Sequence, residues 1–448
     1  MPDSTPAQTP ASAPRAIWQK DTSAEAWVTR FTVGDDALWD TRLLPYDALG
    51  TRAHAAALCA IGLLTAEEDA QIAAVLDDIR DDALACRLVV TVADEDCHSV
   101  IERVLTERLG DAGKKIHAGR SRNDQVLVTL RLWLRDALAA VAGEAASAAD
   151  ALVALAETHD GVLMPGYTHG QQAMPSTVGL WAAGYAELFA DDLAGLAEAR
   201  DRANVSPWGS AAGYGVPHLD LPRTAFARDL GFASVQTHVT AVQLSRGKVE
   251  AAVVHALVQL GLTANRLASD LVLFATAEVG FVALPEAVTT GSSIMPQKRN
   301  PDVLELARAT VHRLTAELHL LLTLPANLTG GYHRDLQLTK EAVMRATLTT
   351  LDLFTALRHA LPGLRWNEPR LTAALSPGLF ATADALARVR QGVPFRDAYR
   401  AAAAGLDALT VPPAAEALAA YVTPGTPGNV QAAALREALA SARARFDP

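Results

Sequence analysis

The amino-acid sequence predicts a mainly α-helical protein. From residue 125 to residue 157 the chain contains no proline and only one glycine. Apolar residues recur over this stretch at steps of three and four, which is the spacing of one helix face. Alternating runs of apolar and polar residues, which mark half-buried strands, are nearly missing. Residues 89–92 form the best strand candidate, and that run is short.

Five long helices are expected between residues 122 and 363. Thirty residues of helix extend about 45 Å and need an apolar partner along their length, so a central five-helix bundle is predicted. Proline is well placed in a first helical turn, which favours a helix start near residue 175. The expected helices cover residues 125–157, residues 175–202 and residues 240–278, and two more begin after Pro301 and near Leu338.

The positions of proline and glycine suggest how the rest of the chain is organised. Residues 1–15, rich in Pro, Ala, Ser and Thr, are expected to be a disordered tail. Residues 16–121 form a predicted N-terminal helical domain, and residues 122–363 form the predicted central helical-bundle domain. Prolines then recur at short intervals, so residues 364–448 are predicted to be a small C-terminal helical domain.

Composition excludes several classes of protein. The 448 residues include 39 Lys and Arg against 50 Asp and Glu, a formal net charge of −11, which does not suit non-specific nucleic-acid binding. The chain contains no run of 18 uninterrupted apolar residues, so no transmembrane helix is predicted. The N-terminus does not resemble a secretory signal. Three cysteines without a C-x-x-C pair indicate a reducing compartment, the cytoplasm. Cys97 and His98 are adjacent rather than spaced as metal ligands, so no metal site is expected.

Chemically useful side chains are most concentrated between Gly291 and Asp302. This segment contains two serines, Lys298 and Asn300. A Gly-Ser-Ser turn can present several backbone N–H groups to one anion, and a lysine adds positive charge, so the set suits a carboxylate or a developing oxyanion. The same residues also suit a helix N-terminus, with Asn300 as the cap and Pro301 at the first helical position. Both interpretations can hold together.

The segment resembles the Gly-Ser-Ser-x-Met-Pro-x-Lys-x-Asn signature of the fumarase/aspartase superfamily, and it matches every fixed position. Gln297 and the pair Pro301-Asp302 are similar to the argininosuccinate lyase version of this signature. Four more segments resemble motifs of that family, in the same order along the chain. They are Glu95-Asp96-Cys97-His98 with Glu102, Ser121 to Val126, Gly166 to Gln171, and Gly331-Tyr332 through Lys340. Each also has a structural interpretation, such as a helix cap at Ser121 or a solvated acidic face at Glu95.

The resemblance implies a C–N lyase that reversibly cleaves argininosuccinate to arginine and fumarate, a step of arginine biosynthesis. It implies a three-domain fold in which the long helices of four chains form the core of a homotetramer, with each active site shared between chains. It also implies that no metal ion and no organic cofactor takes part, because each step is a proton transfer or an electrostatic interaction. The expected substrate is a small molecule, and neither nucleic acid nor membrane is an expected partner.

Four residues have catalytic roles by this resemblance. Ser292 is the expected base, and it must be activated because a neutral hydroxyl is a poor base. Lys298 and nearby N–H groups are expected to stabilise the Ser292 alkoxide. His169 is the other proton-transfer residue, and two roles stay open for it: protonating the leaving nitrogen or orienting a water. Glu305 matches the carboxylate that pairs with this histidine in the family.

Eight residues are expected to bind the substrate. Arginine suits bidentate binding of a carboxylate, and Lys340 is expected to face the carboxylate of the arginine half. The full set is Ser121, Arg122, Asn123, Thr168, Asn300, Tyr332, Gln337 and Lys340.

Some positions depart from the common family pattern, and rival interpretations follow. Arg299, Gln172 and Met174 stand where Lys, Arg and Gln are common, and Asp36 falls at the position of a substrate-binding serine, so no contact is assigned to it. Adenylosuccinate lyases share a Met-Pro-x-Lys-Arg-Asn-Pro run, which makes another fumarate-releasing lyase the nearest alternative. A non-catalytic, crystallin-like protein or a small-molecule-binding regulator is a further alternative. Retention of the proposed base and histidine argues against the crystallin-like protein.

Overall fold

The computed structural model describes residues 26–447, and helices dominate this range, which confirms the predicted fold class. The predicted tail at residues 1–15 lies outside the described residues. The first six helices are α1 (Ala26–Val33), α2 (Asp36–Ala60), α3 (Ala66–Leu84), α4 (Cys97–Leu109), α5 (Asp111–Lys114) and α6 (Arg122–Thr158). The next six are α7 (Val178–Ala203), α8 (Arg223–Asp229), α9 (Val239–Leu244), α10 (Lys248–Phe274), α11 (Asp302–Thr323) and α12 (Leu338–Ala360).

Short helices fill the C-terminal part of the chain, as the prolines predict. They are α13 (Glu368–Ala373), α14 (Ala381–Arg390), α15 (Phe395–Ala404), α16 (Ala414–Ala419) and α17 (Ala432–Ala444). Short 3₁₀ turns lie at Lys115–His117, Glu286–Val288, Arg334–Gln337, Leu361–Gly363, Pro377–Phe380 and Leu406–Ala408.

The strands within the described residues form four separate pairs. The main pair is an antiparallel hairpin of β1 (Leu163–Thr168) and β2 (Gln171–Thr177). The other strands have two residues each: β3 (Val205–Ser206) runs parallel to β4 (Ser234–Val235), β5 (Val282–Ala283) antiparallel to β8 (Arg365–Trp366), and β6 (Thr290–Gly291) antiparallel to β7 (Arg299–Asn300).

The strand predicted at residues 89–92 is wrong, because the chain is irregular there. The backbone N–H of Thr91 donates to Asp94 Oδ2 at 3.0 Å, and the Thr91 hydroxyl donates to the same oxygen at 2.6 Å. An aspartate that accepts bonds from a nearby backbone group closes a turn. This turn leads into α4, whose N-cap is Asp96.

Three of the predicted long helices are confirmed as α6, α11 and α12. The second begins only at Val178, because residues 171–177 belong to β2. The third is divided between α9 and α10, since Gly247 adopts a positive φ of 81° that no helix accommodates. Within the described range, α6 is the one helix long and apolar enough to cross a membrane by length and composition. Its most apolar window is 56% buried inside the protein, the pattern of a core helix.

The chain forms two compact units, each discontinuous in sequence. The first unit contains the described residues up to Asp136, together with Asp201–Ala251 and Leu320–Met344. The second contains Ala137–Arg200, Ala252–His319 and the described residues from Arg345 onward. The predicted domain division at residues 121 and 363 stays a prediction.

The core of the first unit lies among α2, α3 and α4, where Leu43, Leu58 and Ile72 are fully buried. Burial of each such side chain stabilises the fold by about 1.5–3 kcal/mol. A second cluster centres on Trp208, which stacks on Phe226 with ring centroids 4.1 Å apart. The two clusters pack against α2, α4 and α6, and many of the site residues lie in the first turns of these helices.

The core of the second unit contains the inner faces of its long helices. Phe189 of α7 packs edge to face on Phe354 of α12, with ring centroids 5.4 Å apart. The base of the β1–β2 hairpin is also anchored, because Leu163 packs against Leu379 and Phe380. The hairpin tip therefore extends from a buried base.

Candidate active site

A pocket of about 160 Å³ lies in the first unit, bordered by the first turns of α2, α4 and α6. The lining residues are Asp36, Asp40, Glu95, Asp96, His98, Arg122, Asn123, Val126, Arg246, Tyr332, Arg334, Gln337 and Lys340. Four of these side chains are carboxylates and four are lysine or arginine cations. A pocket with both charges in equal number suits a ligand that itself carries both charges. Five of the predicted substrate-binding residues are in this set.

Lys340 is buried at this pocket, with 5% of its surface exposed. Its ammonium group lies 3.0 Å from Asp36 Oδ1 and also donates to Asp40 Oδ1. Burial by itself lowers the pKa of Lys340, but the Asp40 and Asp36 carboxylates outweigh burial and raise that pKa. Lys340 is therefore a firmly charged group whose partners in this structure are protein carboxylates. Its predicted contact with a substrate carboxylate stays a prediction.

Arg122 projects from the first turn of α6 into the same pocket. Its Nη1 donates to Asp96 Oδ2 at 2.9 Å and to Glu95 Oε2 at 3.3 Å, while Nη2 donates to Ser99 Oγ at 3.0 Å. Asp96 also accepts the backbone N–H of Ser99 as the N-cap of α4. The guanidinium group is thus held in one orientation by the start of a neighbouring helix.

Ser121 caps α6, as its structural interpretation predicts. Its hydroxyl accepts the backbone N–H of Asn123 at 3.3 Å, which is the bond that an N-cap serine makes. The pocket lining includes Asn123 but not Ser121. Buried Asp124 accepts the backbone N–H groups of Gly209 and Ala211 at 3.1 and 2.9 Å and fixes that loop beside α6.

Arg246 is a pocket residue that the sequence analysis missed. It lies in the break between α9 and α10, 5% exposed, and its guanidinium carbon is 5.0 Å from the centroid of the Tyr332 ring. This cation–π contact orients Tyr332. The sequence does contain a signal for this position, because an arginine directly before Gly247 interrupts an apolar helical pattern. Gln337, in the neighbouring turn, donates to the Thr32 carbonyl at 2.9 Å.

The second unit contains the predicted catalytic loop, which runs between β6 and β7. The half-buried Ser292 hydroxyl accepts the backbone N–H groups of Met295 at 3.1 Å and Ile294 at 3.4 Å. Two donors on one oxygen stabilise negative charge there. A further turn follows, in which the Lys298 N–H donates to the Met295 carbonyl at 3.0 Å. Lys298 itself is exposed.

Asn300 closes this loop from the opposite strand. Its side-chain amide donates to the Thr290 hydroxyl and to the Gly291 carbonyl, both at 3.4 Å. The Thr290 hydroxyl in turn donates to Asp302, in the first turn of α11. Asn300 therefore acts as a loop brace in this structure, in contrast to the helix cap of the structural interpretation.

His169 lies at the exposed tip of the β1–β2 hairpin, next to Thr168. The two turn residues, His169 and Gly170, have positive φ values of 54° and 71°. Such a two-residue turn matches the twist of a hairpin. A positive φ strains the backbone of a histidine, and strained residues are often found at functional sites. A Cβ atom at position 166 would lie 2.8 Å from the Met174 carbonyl oxygen, so the hairpin requires glycine there.

Gln172 ties the hairpin to the C-terminal part of the second unit. Its amide nitrogen donates to the Ala374 carbonyl at 2.7 Å, and its amide oxygen accepts from the Ser376 hydroxyl at 2.7 Å. Gln172 is one of the positions that depart from the family pattern. Here it has a structural role: it holds the strand that follows His169.

Glu305 is exposed in the first turn of α11. Among the residues that the structure describes, no hydrogen bond or ion pair connects His169 with Glu305 or with Ser292 in a single chain. The predicted pairing of His169 and Glu305 stays a prediction.

Curated relatives decide the family. The chain is 46% identical to the argininosuccinate lyase of Sorangium cellulosum over 92% of this chain and 96% of that protein. It is 44% identical to the argininosuccinate lyase of Xanthomonas campestris over 94% of this chain and 97% of the relative. The chain belongs to the argininosuccinate lyase family.

Two further comparisons agree. The family model described as "Lyase" matches residues 8–315. An EDDS lyase solved with formate aligns with a TM-score of 0.73 at 24% identity, covering 95% of this chain and 91% of that one. A class II fumarase from Schistosoma mansoni aligns with a TM-score of 0.74 at 14% identity, covering 85% and 87%. These two likenesses show the fold.

Asp36 departs from the family pattern, and the structure shows what it contacts. Its carboxylate lines the pocket and forms an ion pair with Lys340. The two residues lie far apart in the sequence, as do Lys340 and Asp40, which are separated by 300 residues. Sequence spacing gives no signal for such a pair.

Proposed function

We propose that this protein catalyses the reversible elimination of fumarate from argininosuccinate, releasing L-arginine as a step of arginine biosynthesis. The observation that carries the proposal is the geometry of Ser292, whose hydroxyl oxygen receives two backbone N–H groups inside a loop that also contains Lys298. Such an environment stabilises an alkoxide, which a serine needs to act as a base.

The reaction is a C–N elimination. Ser292 removes a proton from the succinyl carbon next to a carboxylate, the electron pair forms the new C=C bond, and the bond to the guanidinium nitrogen breaks. Removal of that proton adds negative charge to a group that is already anionic, so the intermediate needs fixed donors and a cation nearby. The backbone N–H groups of the loop, Lys298 and the braced amide of Asn300 supply them in this proposal.

His169 is the second proton-transfer residue of the proposal, and Glu305 is its partner. An exposed, conformationally strained tip suits a side chain that must reach a bound substrate. The nitrogen that leaves must gain a proton as the C–N bond breaks. We assign this proton to His169, with Thr168 beside it as a contact for a substrate carboxylate.

The pocket of the first unit is proposed to hold the arginine half of the substrate. Arg122 and Asn123 border it at the start of α6, and Tyr332 and Gln337 border it from the loop before α12. Lys340 lies at its buried side. Ser121 acts through the capped start of α6, where its hydroxyl orients the backbone of Asn123.

A homotetramer with shared active sites completes the proposal. His169, Lys298 and Glu305 are exposed side chains of the second unit, and in one chain they make no described contact with one another. Leu262 and Leu273 of α10 are 45% and 55% exposed and lie three helical turns apart, on one face. Exposed leucines on one face of a helix are typical of an interface between chains. We propose that a second copy of this chain packs against this face of α10.

A cytoplasmic location is proposed as well. Its support is the set of three free cysteines, Cys59, Cys86 and Cys97, which suits a reducing compartment.

The test is fumarate release by the purified protein, with argininosuccinate and adenylosuccinate as parallel substrates. We expect fumarate from argininosuccinate alone. Release from adenylosuccinate alone would keep the elimination chemistry and refute the substrate. No release from either, by a folded oligomer, would refute the enzymatic proposal.

A further inference from the structure

Two carboxylates share one ammonium group at the pocket of the first unit. Lys340 Nζ lies 3.0 Å from Asp36 Oδ1 and also donates to Asp40. One positive charge thus faces two negative charges. The three side chains together carry one negative charge in excess.

Asp40 is fully engaged by the protein. Its side chain is 1% exposed, Oδ1 binds Lys340, and Oδ2 accepts the backbone N–H of Cys97 at 3.1 Å. Cys97 is the first residue of α4, so the positive end of that helix dipole adds to the stabilisation of Asp40. Both carboxylate oxygens of Asp40 therefore have partners within the protein.

Asp36 differs from Asp40 in its exposure to the pocket. Its side chain is 18% exposed and lines the cavity, and in the described part of the chain no hydrogen-bond donor reaches its Oδ2. Burial raises the pKa of Asp36, Lys340 opposes that increase, and the neighbouring Asp40 adds to it. A carboxylate in such surroundings is stabilised by a second cation.

Resting on the proposed function, we infer that Asp36 is a specificity-determining residue that binds the α-ammonium group of the arginine half of the substrate. An ammonium group is compact, donates three hydrogen bonds and carries the single charge that the Asp36–Asp40–Lys340 cluster lacks. Asp36 thereby selects an amino acid over a plain carboxylic acid, at a point remote from the C–N bond that breaks.

Lys340 is the one cation within ion-pair distance of Asp36 in the described part of the chain. The charge of Arg334 also lowers the pKa of Asp36, but the Arg334 side chain is 55% exposed. It donates to the Thr32 carbonyl at 3.0 Å and lies 3.8 Å from Glu95. Its guanidinium group is thus bound at the rim of the pocket, and within the described residues it makes no ion pair with Asp36.

Calorimetric titration with two ligands tests the inference. L-Arginine and 5-guanidinopentanoate differ only in the α-ammonium group, which hydrogen replaces in the second. We expect the wild type to bind arginine at least about tenfold more tightly, the range of a charge-assisted hydrogen bond. The isosteric Asp36→Asn variant should bind both ligands within about threefold of each other, and its affinity for 5-guanidinopentanoate should equal that of the wild type.

Turnover gives a second readout. Asp36→Asn should raise KM for argininosuccinate roughly tenfold or more and leave kcat within about threefold, because the lost contact is made equally in the ground state and the transition state. Asp35→Asn is the matched control. It removes the same charge one residue earlier, from an exposed side chain outside the pocket lining, and it should behave as the wild type.

Two results would overturn the inference. A wild type that binds both ligands equally removes its basis, and this result needs no variant to fold. Equal weakening of both ligands in Asp36→Asn would show that Asp36 only positions Lys340. Failure of the wild type to release fumarate would refute the proposed function instead, while the ratio of the two affinities still decides the role of Asp36.

Discussion

The hydroxyl oxygen of Ser292 accepts the backbone N–H of Met295 at 3.1 Å, across a tight turn of the loop between β6 and β7. This bond fixes the serine oxygen at a point where negative charge is stabilised. The turn that follows is closed by the bond from the Lys298 backbone N–H to the Met295 carbonyl, and this bond does not involve the Ser292 side chain.

Replacement of Ser292 by alanine should therefore leave the fold intact and lower turnover at least about a hundredfold, the contribution of a positioned proton-transfer group. Steady-state fumarate release and the melting temperature are the two measurements. Ser293→Ala is the matched control, since Ser293 is exposed and lies next to Ser292; it should keep most of the activity. A Ser292→Ala variant with most of its turnover would exclude Ser292 as the base.

Lys340→Met should destabilise the first unit strongly. Removal of one partner from a buried ion pair leaves uncompensated charge and costs about 3–5 kcal/mol. The double variant Asp40→Asn with Lys340→Met should regain part of this loss, because only one of the two carboxylates then remains charged. Urea unfolding followed by circular dichroism measures both, with exposed Lys248→Met as control. Equal stability of the single variant and the wild type would contradict the account.

The His98–Asp47 pair should make stability depend on pH. His98 Nδ1 lies 2.8 Å from Asp47 Oδ2, and both side chains are buried. Burial lowers the pKa of His98, but Asp47 outweighs it, so this pKa is raised above the ordinary value of 6.5. A raised histidine pKa stabilises the fold below the unfolded value, and the contribution is lost as pH rises through the folded value.

The free energy of unfolding should therefore decrease as pH rises above 6.5, and more steeply for the wild type than for His98→Gln. Urea titrations across this range measure the slope. Exposed His255→Gln is the control and should keep the wild-type slope. Identical slopes for the wild type and His98→Gln would show that the pair does not titrate in this way.

Gly166→Ala should disturb the hairpin that carries His169. Its Cβ would meet the Met174 carbonyl oxygen at 2.8 Å, so the strands must shift, at a cost of about 1–3 kcal/mol. We expect a lower melting temperature and lower kcat. Gly143→Ala in α6 is the control: its Cβ meets nothing within 4 Å, and alanine should stabilise the helix slightly. The prediction fails if both variants behave alike.

Apolar periodicity is sufficient to predict the long helices because α6, α11 and α12 bury one stripe over many turns. It does not reveal the β1–β2 hairpin. Pro165 and Gly166 interrupt the alternation of β1, and the turn depends on positive φ values that spacing does not show. The short run of valines at residues 89–92 misleads for the opposite reason: its apolar character suggests a strand, while Asp94 closes a turn.

The site residues also divide into those that the sequence pattern predicts and those that it does not. Motif resemblance predicts catalytic roles for Ser292 and His169, because their neighbours in the sequence form the motif. The partners of Lys340 are not visible in this way, since Asp40 lies 300 residues earlier and meets it only in the folded chain. Arg246 is missed because an arginine within a helical pattern looks like a surface residue until the break at Gly247 places it in the pocket.

Complementation between inactive chains tests the central claim most directly, namely that Ser292 and His169 of different chains build one active site. Ser292→Ala and His169→Asn are suitable lesions, and asparagine tolerates the positive φ at the hairpin tip. Each variant alone should be inactive. Unfolding and reassembly of an equal mixture should restore about a quarter of the wild-type activity, because random assembly gives that share of sites without either lesion. Mixed tetramers, verified by native mass spectrometry, that remain inactive would contradict the account.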